Sequence, residues 1–425
     1  MKTGKTSTMN IESYAENNIK ISFMVSFSLS LIIFSFLVDT PYEIFKGVYR
    51  ILVEPAALIT DYIGVGGIGA AFFNSGLLTL LFTFLLRALK ITFNGATFAS
   101  LFLIAGFALF GKNLLNVWFI VIGVYLYSKV QRDKFSKYIY MALFGTAISP
   151  IVSEIMFNSS LPIQYRIPLS MLIGICIGFV LPPLSVYLLK VHQGFNLYNI
   201  GFTAGIIGTV VVSIFKSYGY TPSPRFIWSS GNNLILGSYL FTIFFLMIVS
   251  GFMLNNKSFN GIKNISKRSG RLITDFIISD GFAPTLINMG ISGFISTLYV
   301  IIVGGDLNGP TIGGIFTVVG FSAFGKHYKN ISPIFLGVIL GSITKTWSLT
   351  DPAILLAALF GTALAPIAGE FGWKYGVLAG FIHSSVVLNV GVLHGGLNLY
   401  NNGFAAGIVA AVLIPIIEGF RKEEI

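Results

Sequence analysis

Charge is scarce in this sequence. Asp, Glu, Lys and Arg together make up 10% of the 425 residues, against about 25% in a typical soluble domain, which excludes a water-soluble enzyme. There is one cysteine, Cys176, so no internal disulfide and no Cys-based metal or iron–sulfur site can form. No Gly-x-x-x-x-Gly-Lys-Ser/Thr loop occurs, so the chain encodes no P-loop ATPase. His-Glu-x-x-His and Gly-x-Ser-x-Gly motifs are lacking too, and no catalytic metal, cofactor or enzymatic activity is expected.

Apolar residues are plentiful: 54% of the chain is hydrophobic and 15% aromatic, with 40 Phe and 47 Gly. Glycine at this level suits helices packed closely in lipid. The formal charge is +11, but it comes in short clusters between apolar runs. Arg87 and Lys90 form one, Lys129, Arg132, Lys134 and Lys137 a second, and Lys257, Lys263, Lys267, Arg268 and Arg271 a third. That is the pattern of cytoplasmic loops near anionic lipid, not of a nucleic-acid surface. The partners expected are therefore the bilayer, a small solute and further copies of the chain. No small-residue cleavage site follows the first apolar run, which is expected to stay as an anchor.

Fourteen apolar segments can be read, near 21–38, 64–86, 96–110, 114–128, 138–156, 167–189, 200–217, 232–253, 282–304, 311–324, 332–348, 352–369, 375–393 and 402–419. A full crossing takes about 20 residues, so 96–110 and 311–324 are expected to be half-helices or re-entrant. With both termini cytoplasmic, fourteen crossings leave every basic cluster on the cytoplasmic side. Residues 39–56 then form an outer loop. Asn, Ile and Lys usage points to a bacterial plasma membrane.

Blocks of the first half return in order in the second. Leu-Ile-Thr-Asp-Tyr-Ile at 58–63 recurs as Leu-Ile-Thr-Asp-Phe-Ile at 272–277. The run Asn94–Lys112 coincides with Asn308–Lys326 at nine of nineteen positions. Phe-Gly-Thr-Ala at 144–147 recurs at 360–363, and the His192 to Gly205 motif recurs from His394 to Gly407. This is the signature of a duplication. Residues 58–217 and 272–419 form the two units, after an anchor over 1–57. A helix and basic loop over 218–271 lie between them, and 420–425 is a tail. Six segments plus one linking helix make an odd number, so the second unit enters the membrane from the opposite face. The expected class is an all-α integral membrane protein of two inverted-topology repeats, a ground plan of transporters.

Such repeats bind solute between interrupted helices near the midplane. Asn94 and Thr97, with Asn308 and Thr311, open the two short helices. Their N-termini, each with about half a positive charge, are expected to converge on a polar or anionic solute, while Lys112 and Lys326 complement the dipoles at the far ends. Glu154 and Glu370 follow Pro150 and Pro366, which interrupt their helices and free carbonyl groups. They are the candidates for ion or proton coupling. His192, Asn196 and Asn199, matched by His394, Asn398 and Asn401, mark loop–helix junctions. His383, in an otherwise apolar run, is a further candidate for the solute pathway.

The Gly-Gly-Ile-Gly-Ala-Ala-Phe-Phe-Asn-Ser-Gly-Leu-Leu run at 66–78, Phe-Asn-Gly-Ala-Thr at 93–97 and the Asn-Leu-Tyr-Asn-x-Gly-Phe motifs resemble a family of bacterial multi-pass membrane proteins, a domain of unknown function numbered DUF1576. A looser likeness is to urea channels, through Asn74-Ser75-Gly76-Leu77-Leu78 and Phe93-Asn94-Gly95. That likeness implies two inverted halves with re-entrant half-helices. The leading expectation is a transporter of a small polar or anionic solute working by alternating access with ion or proton coupling. The alternatives are a passive urea-type channel and a non-transporting membrane subunit.

Overall fold

Polar caps and glycine breaks cut the apolar chain into twenty α-helices over residues 3–422, the part that the computed structural model describes. The first ten are α1 (Thr3–Val38), α2 (Pro41–Val53), α3 (Tyr62–Gly66), α4 (Ile68–Ala88), α5 (Gly95–Phe107), α6 (Val117–Val130), α7 (Ile139–Gly145), α8 (Pro150–Asn158), α9 (Ile163–Leu188) and α10 (Asn199–Ser217). The next ten are α11 (Asn233–Leu254), α12 (Ile262–Ile265), α13 (Phe276–Asp280), α14 (Phe282–Ile302), α15 (Gly309–Phe321), α16 (Tyr328–Thr344), α17 (Pro352–Gly361), α18 (Ala365–Phe371), α19 (Trp373–Val390) and α20 (Asn401–Lys422). The elements of the first ten recur in order, although α1, α2 and α9 (36, 13 and 26 residues) are longer than α11, α12 and α19 (22, 4 and 18). Five residues precede 21 in α3–α4 and in α13–α14, and α5 and α15 have 13 each.

All fourteen apolar segments are helical, and nine helices among the described residues are long and apolar enough to cross a membrane. The protein is a multi-pass membrane protein. The others fall short for identifiable reasons. Helices of 13 residues, such as α5 and α15, reach about 20 Å against a hydrocarbon core of about 30 Å. In the first half Pro150 has no amide proton for the preceding turn, and α7 and α8 meet at 42° across it.

Local chemistry sets the breaks. Asp61 and Asp275 cap α3 and α13 through the amides of Ile63 and Ile278. Gly67 and Gly281, at φ 97° and 92°, then turn the chain into α4 and α14, a conformation open to glycine and strained for other residues. Residues 39–56, expected to form an outer loop, contain a helix. Thr40 and Glu43 form a capping box with Pro41 in the first turn, and α2 results. It buries Ile44, Val48 and Ile51 and leaves Tyr42, Phe45 and Tyr49 exposed.

The helix expected to link two units has a different position. α11 lies along α14 as α1 lies along α4. Gly76 of α4 abuts the Ser28 carbonyl and Ile32, and Gly290 of α14 abuts the Phe244 carbonyl and Ile248. At the centre α5 and α15 run side by side and antiparallel. Gly106 meets Gly313, and Gly320 meets Ala99; a Cβ on Gly106 would lie 2.7 Å from the Gly313 carbonyl oxygen. α15 is buried throughout and α5 nearly so.

Candidate functional site

The expected convergence of the Asn94 and Asn308 helix ends is absent. The antiparallel packing sets the start of each short helix beside the end of the other: Gly95 lies against the Ala323 carbonyl and Gly309 against the Leu109 carbonyl. The two N-termini are thus about 20 Å apart, the length of a 13-residue helix. Each Asn acts as a cap, accepting at 3.1 Å from the amide of Thr97 or Thr311. Tyr140 adds a hydroxyl contact to Thr97 at 2.6 Å, and Asn308 donates to the Ser229 carbonyl at 3.0 Å. The positive end of each dipole faces a carboxylate from the other half. Gly95 donates to Asp275 at 2.8 Å and Gly309 to Asp61 at 3.1 Å. Asp61 also accepts from the Ser229 amide at 2.9 Å and from its hydroxyl.

Glu154 and Glu370 have unlike surroundings. Glu154 is fully buried and accepts from Asn158 at 2.8 Å and Tyr220 at 2.9 Å, with its Oε2 unpartnered. Glu370 is exposed near the end of α18. His383 is fully buried, with Nε2 3.0 Å from the Asn402 amide oxygen.

The junction motifs are brought together. His192 and His394 hold Asn199 and Asn401 at 3.0 and 2.9 Å, and these in turn donate to the Ser185 and Val387 carbonyls. Asn196 crosses to the Gly403 carbonyl at 2.9 Å, and Asn398 crosses to that of Gly201 at 3.2 Å. The oxygens of Asn196 and Asn398 receive the amides of Tyr198 and Tyr400. The two loops therefore aim those tyrosines at each other, with ring centroids 4.8 Å apart.

Tyr198 and Tyr400 are the middle rungs of an aromatic ladder. Phe107 lies 4.8 Å from Tyr400, and Phe321 lies 4.7 Å from Tyr198. A lysine caps each end: the Lys112 ammonium is 4.9 Å from the Phe107 centroid and that of Lys326 is 5.3 Å from the Phe321 centroid. Both lysines are fully buried, and neither has a carboxylate partner among the described residues. Asn74 and Asn288 fix their backbones by bridging the carbonyls of Ala108 and Lys112, and of Ser322 and Lys326, at 2.7–3.0 Å. Lys326 donates to the Tyr198 hydroxyl and to Thr362 Oγ1 at 2.7 Å. At the matching end, Lys112 Nζ and the Tyr400 hydroxyl have no hydrogen-bond partner.

The model of a family described as Protein of unknown function (DUF1576) matches residues 40–217 and 254–419, most of the chain. The chain belongs to the DUF1576 family. No curated protein and no solved structure matches it. In this DUF1576 protein, sequence reasoning missed Tyr198 and Tyr400 as chemical groups and read the two lysines only as dipole partners. The overlooked signal was a lysine at matched positions inside both apolar repeats, since an ionisable group at membrane depth marks function by default. No group of three or more His, Cys, Asp or Glu side chains able to hold a metal occurs among the described residues.

Proposed function

We propose that this DUF1576 protein is a membrane transporter of a small anionic solute, built from two units of opposite orientation. The observation that carries the reading is the pair of buried lysines without a carboxylate partner. An ammonium in a water-poor interior is costly without a counter-charge, and an anionic cargo supplies one. Two units of five crossing-length spans, opening at α1 and at α11 and counting the bent α7–α8 pair as one, support the orientation, because an odd number reverses the second. The antiparallel α5–α15 pair and the exchanged Asp61 and Asp275 caps agree with it. Alternating access then consists of the halves rocking about the aromatic ladder, which separates the lysine at one end from that at the other. Glu154 is the better candidate for ion or proton coupling, since Glu370 is exposed.

Flux of a panel of small anions and neutral solutes into proteoliposomes tests this. Anion uptake is expected in the wild type and lost in Lys112→Met plus Lys326→Met. Uptake confined to neutral solutes, or anion uptake that survives the double substitution, overturns the reading. For orientation, cysteines replacing Lys134 and Thr350, at matched loops, in a Cys176→Ser background should label from opposite sides. Labelling of both from one side removes the inverted arrangement.

A further inference from the structure

We propose that Lys112 and the Tyr400 hydroxyl form the primary binding station for a small monovalent anion, with Lys326, Tyr198 and Thr362 as a second station closed by its own side chains. The inference rests on the transport reading and names its substrate class. Lys112 and Tyr400 come from different halves and meet at Phe107: the ammonium is 4.9 Å from that ring and the Tyr400 ring 4.8 Å from it. The residues beside them touch as well, since a Cβ on Gly111 would fall 2.6 Å from the Leu399 side chain. The Leu399 amide donates at 3.0 Å to the carbonyl of Ala147, next to Thr146.

Each group has a counterpart at the other end. Lys112 matches Lys326, Tyr400 matches Tyr198, Thr146 matches Thr362, and Leu399 on Ala147 matches Leu197 on Ala363. The backbone frames agree, but the donors do not. Lys326 spends its protons on Tyr198 and Thr362. Lys112 Nζ and the Tyr400 hydroxyl are both fully buried and both lack a partner. Thr146 has its proton committed to the Leu143 carbonyl at 2.6 Å, so the donors available are one ammonium and one phenol.

That set defines the ligand. A single positive charge balances one negative charge, and a dianion would bring a second, uncompensated charge into an apolar site. Phe107 and Tyr198 pack against Tyr400, and Phe360 packs against Phe107, so the rest of the ligand would meet aromatic ring. A halide, nitrate or short monocarboxylate meets these demands; sulfate and hydrogen phosphate dianion do not. Passage consists of exchange between stations: the anion takes the place of the tyrosine and threonine oxygens at one lysine while the other lysine falls back on its own.

The test is thermal stability of the full detergent-purified chain, titrated with chloride, nitrate, formate, acetate and sulfate at constant ionic strength. At least one monovalent anion should raise the Tm in a saturable manner, with sulfate showing no saturable shift. Lys112→Met should weaken that anion about tenfold or more, as expected for a lost charged hydrogen bond, and Tyr400→Phe about threefold to tenfold. Lys326→Met should keep the wild-type midpoint within about twofold. Met matches the apolar stem of Lys and removes a buried charge, so Lys112→Met should fold; Tyr400→Phe provides a second reading if it does not. No saturable shift with any monovalent anion, an unchanged midpoint in both Lys112→Met and Tyr400→Phe, or tighter binding of sulfate overturns the station. Saturable anion binding without flux upholds the station and overturns transport. Flux of an anion that ignores Lys112→Met upholds transport and overturns the station.

Discussion

The two ends of the aromatic ladder hold the same residues in different hydrogen-bonding arrangements. Lys326 is tied to Tyr198 and Thr362, while Lys112 and Tyr400 have no partner. The frames around them match closely, down to the asparagine bridge from Asn74 or Asn288 to two carbonyls. The groups that hold backbone are the same at both ends, and the groups that face the interior differ in what they bind. His383 with Asn402 makes the same point, because the corresponding places in the first half belong to Leu181 and Ile200. Gly145 abuts Leu181 where Gly361 abuts His383, each at 2.7 Å.

The shared frame should be the harder part to alter. Gly106→Val, which drives a side chain into the Gly313 backbone, is expected to cost about 1–3 kcal/mol or more and to abolish monodisperse protein in size-exclusion chromatography. Gly419→Val, with nothing near its Cβ, should behave as wild type. If both variants purify alike, the central glycine contact does not hold the halves together.

The exchanged caps come next. Asp61 accepts from Ile63, Gly309 and twice from Ser229, whereas Asp275 accepts from Ile278 and Gly95. Asp61→Asn should therefore destabilise by about 2–3 kcal/mol and Asp275→Asn by about 1, read as thermal melts in detergent. Equal losses would mean that the extra donors to Asp61 contribute little.

His383→Leu should cost about 1–2 kcal/mol by orphaning the Asn402 oxygen. Adding Asn402→Ile, which copies the first half, should recover most of it, as removal of both partners of a buried bond is nearly neutral. A double variant as unstable as the single one would show that the second half needs its polar pair for more than mutual satisfaction. Glu154→Ala should cost about 1 kcal/mol, and Glu370→Ala less than about 0.5. Equal effects would remove the distinction between the two glutamates.

The smallest effect lies in a loop. Hydrogen bonds from Lys137 and Tyr138 hold the Asp133 carboxyl below its usual range. A carboxylate whose folded value is depressed stabilises above its unfolded value and loses that stabilisation as pH falls through the folded one. The Tm gap between wild type and Asp133→Asn should be small at neutral pH and close in acid. A gap that widens in acid would contradict the assignment.

Much of the frame was legible because its signals are local. The Asn94 and Asn308 caps, the two short helices and the break at Pro150 each depend on residues within a few positions of one another. The Thr40-Pro41-x-Glu43 box was just as local and would have revealed α2, had residues 39–56 not been read simply as the loop between two apolar segments. The orientation of the short helices was not legible, since a capped N-terminus says nothing about which helix lies beside it.

The sequence by itself determined an apolar, helical chain with matched blocks in its two halves, because hydropathy, capping and repetition are written in neighbouring residues and in recurring motifs. Only the tertiary structure decided that the α5 and α15 dipoles face carboxylates from the opposite half, and that Lys112 and Tyr400, nearly three hundred positions apart, share one buried ring. Those contacts depend on which helix surfaces fit together, and close fit is a property of shapes in space that no local pattern records.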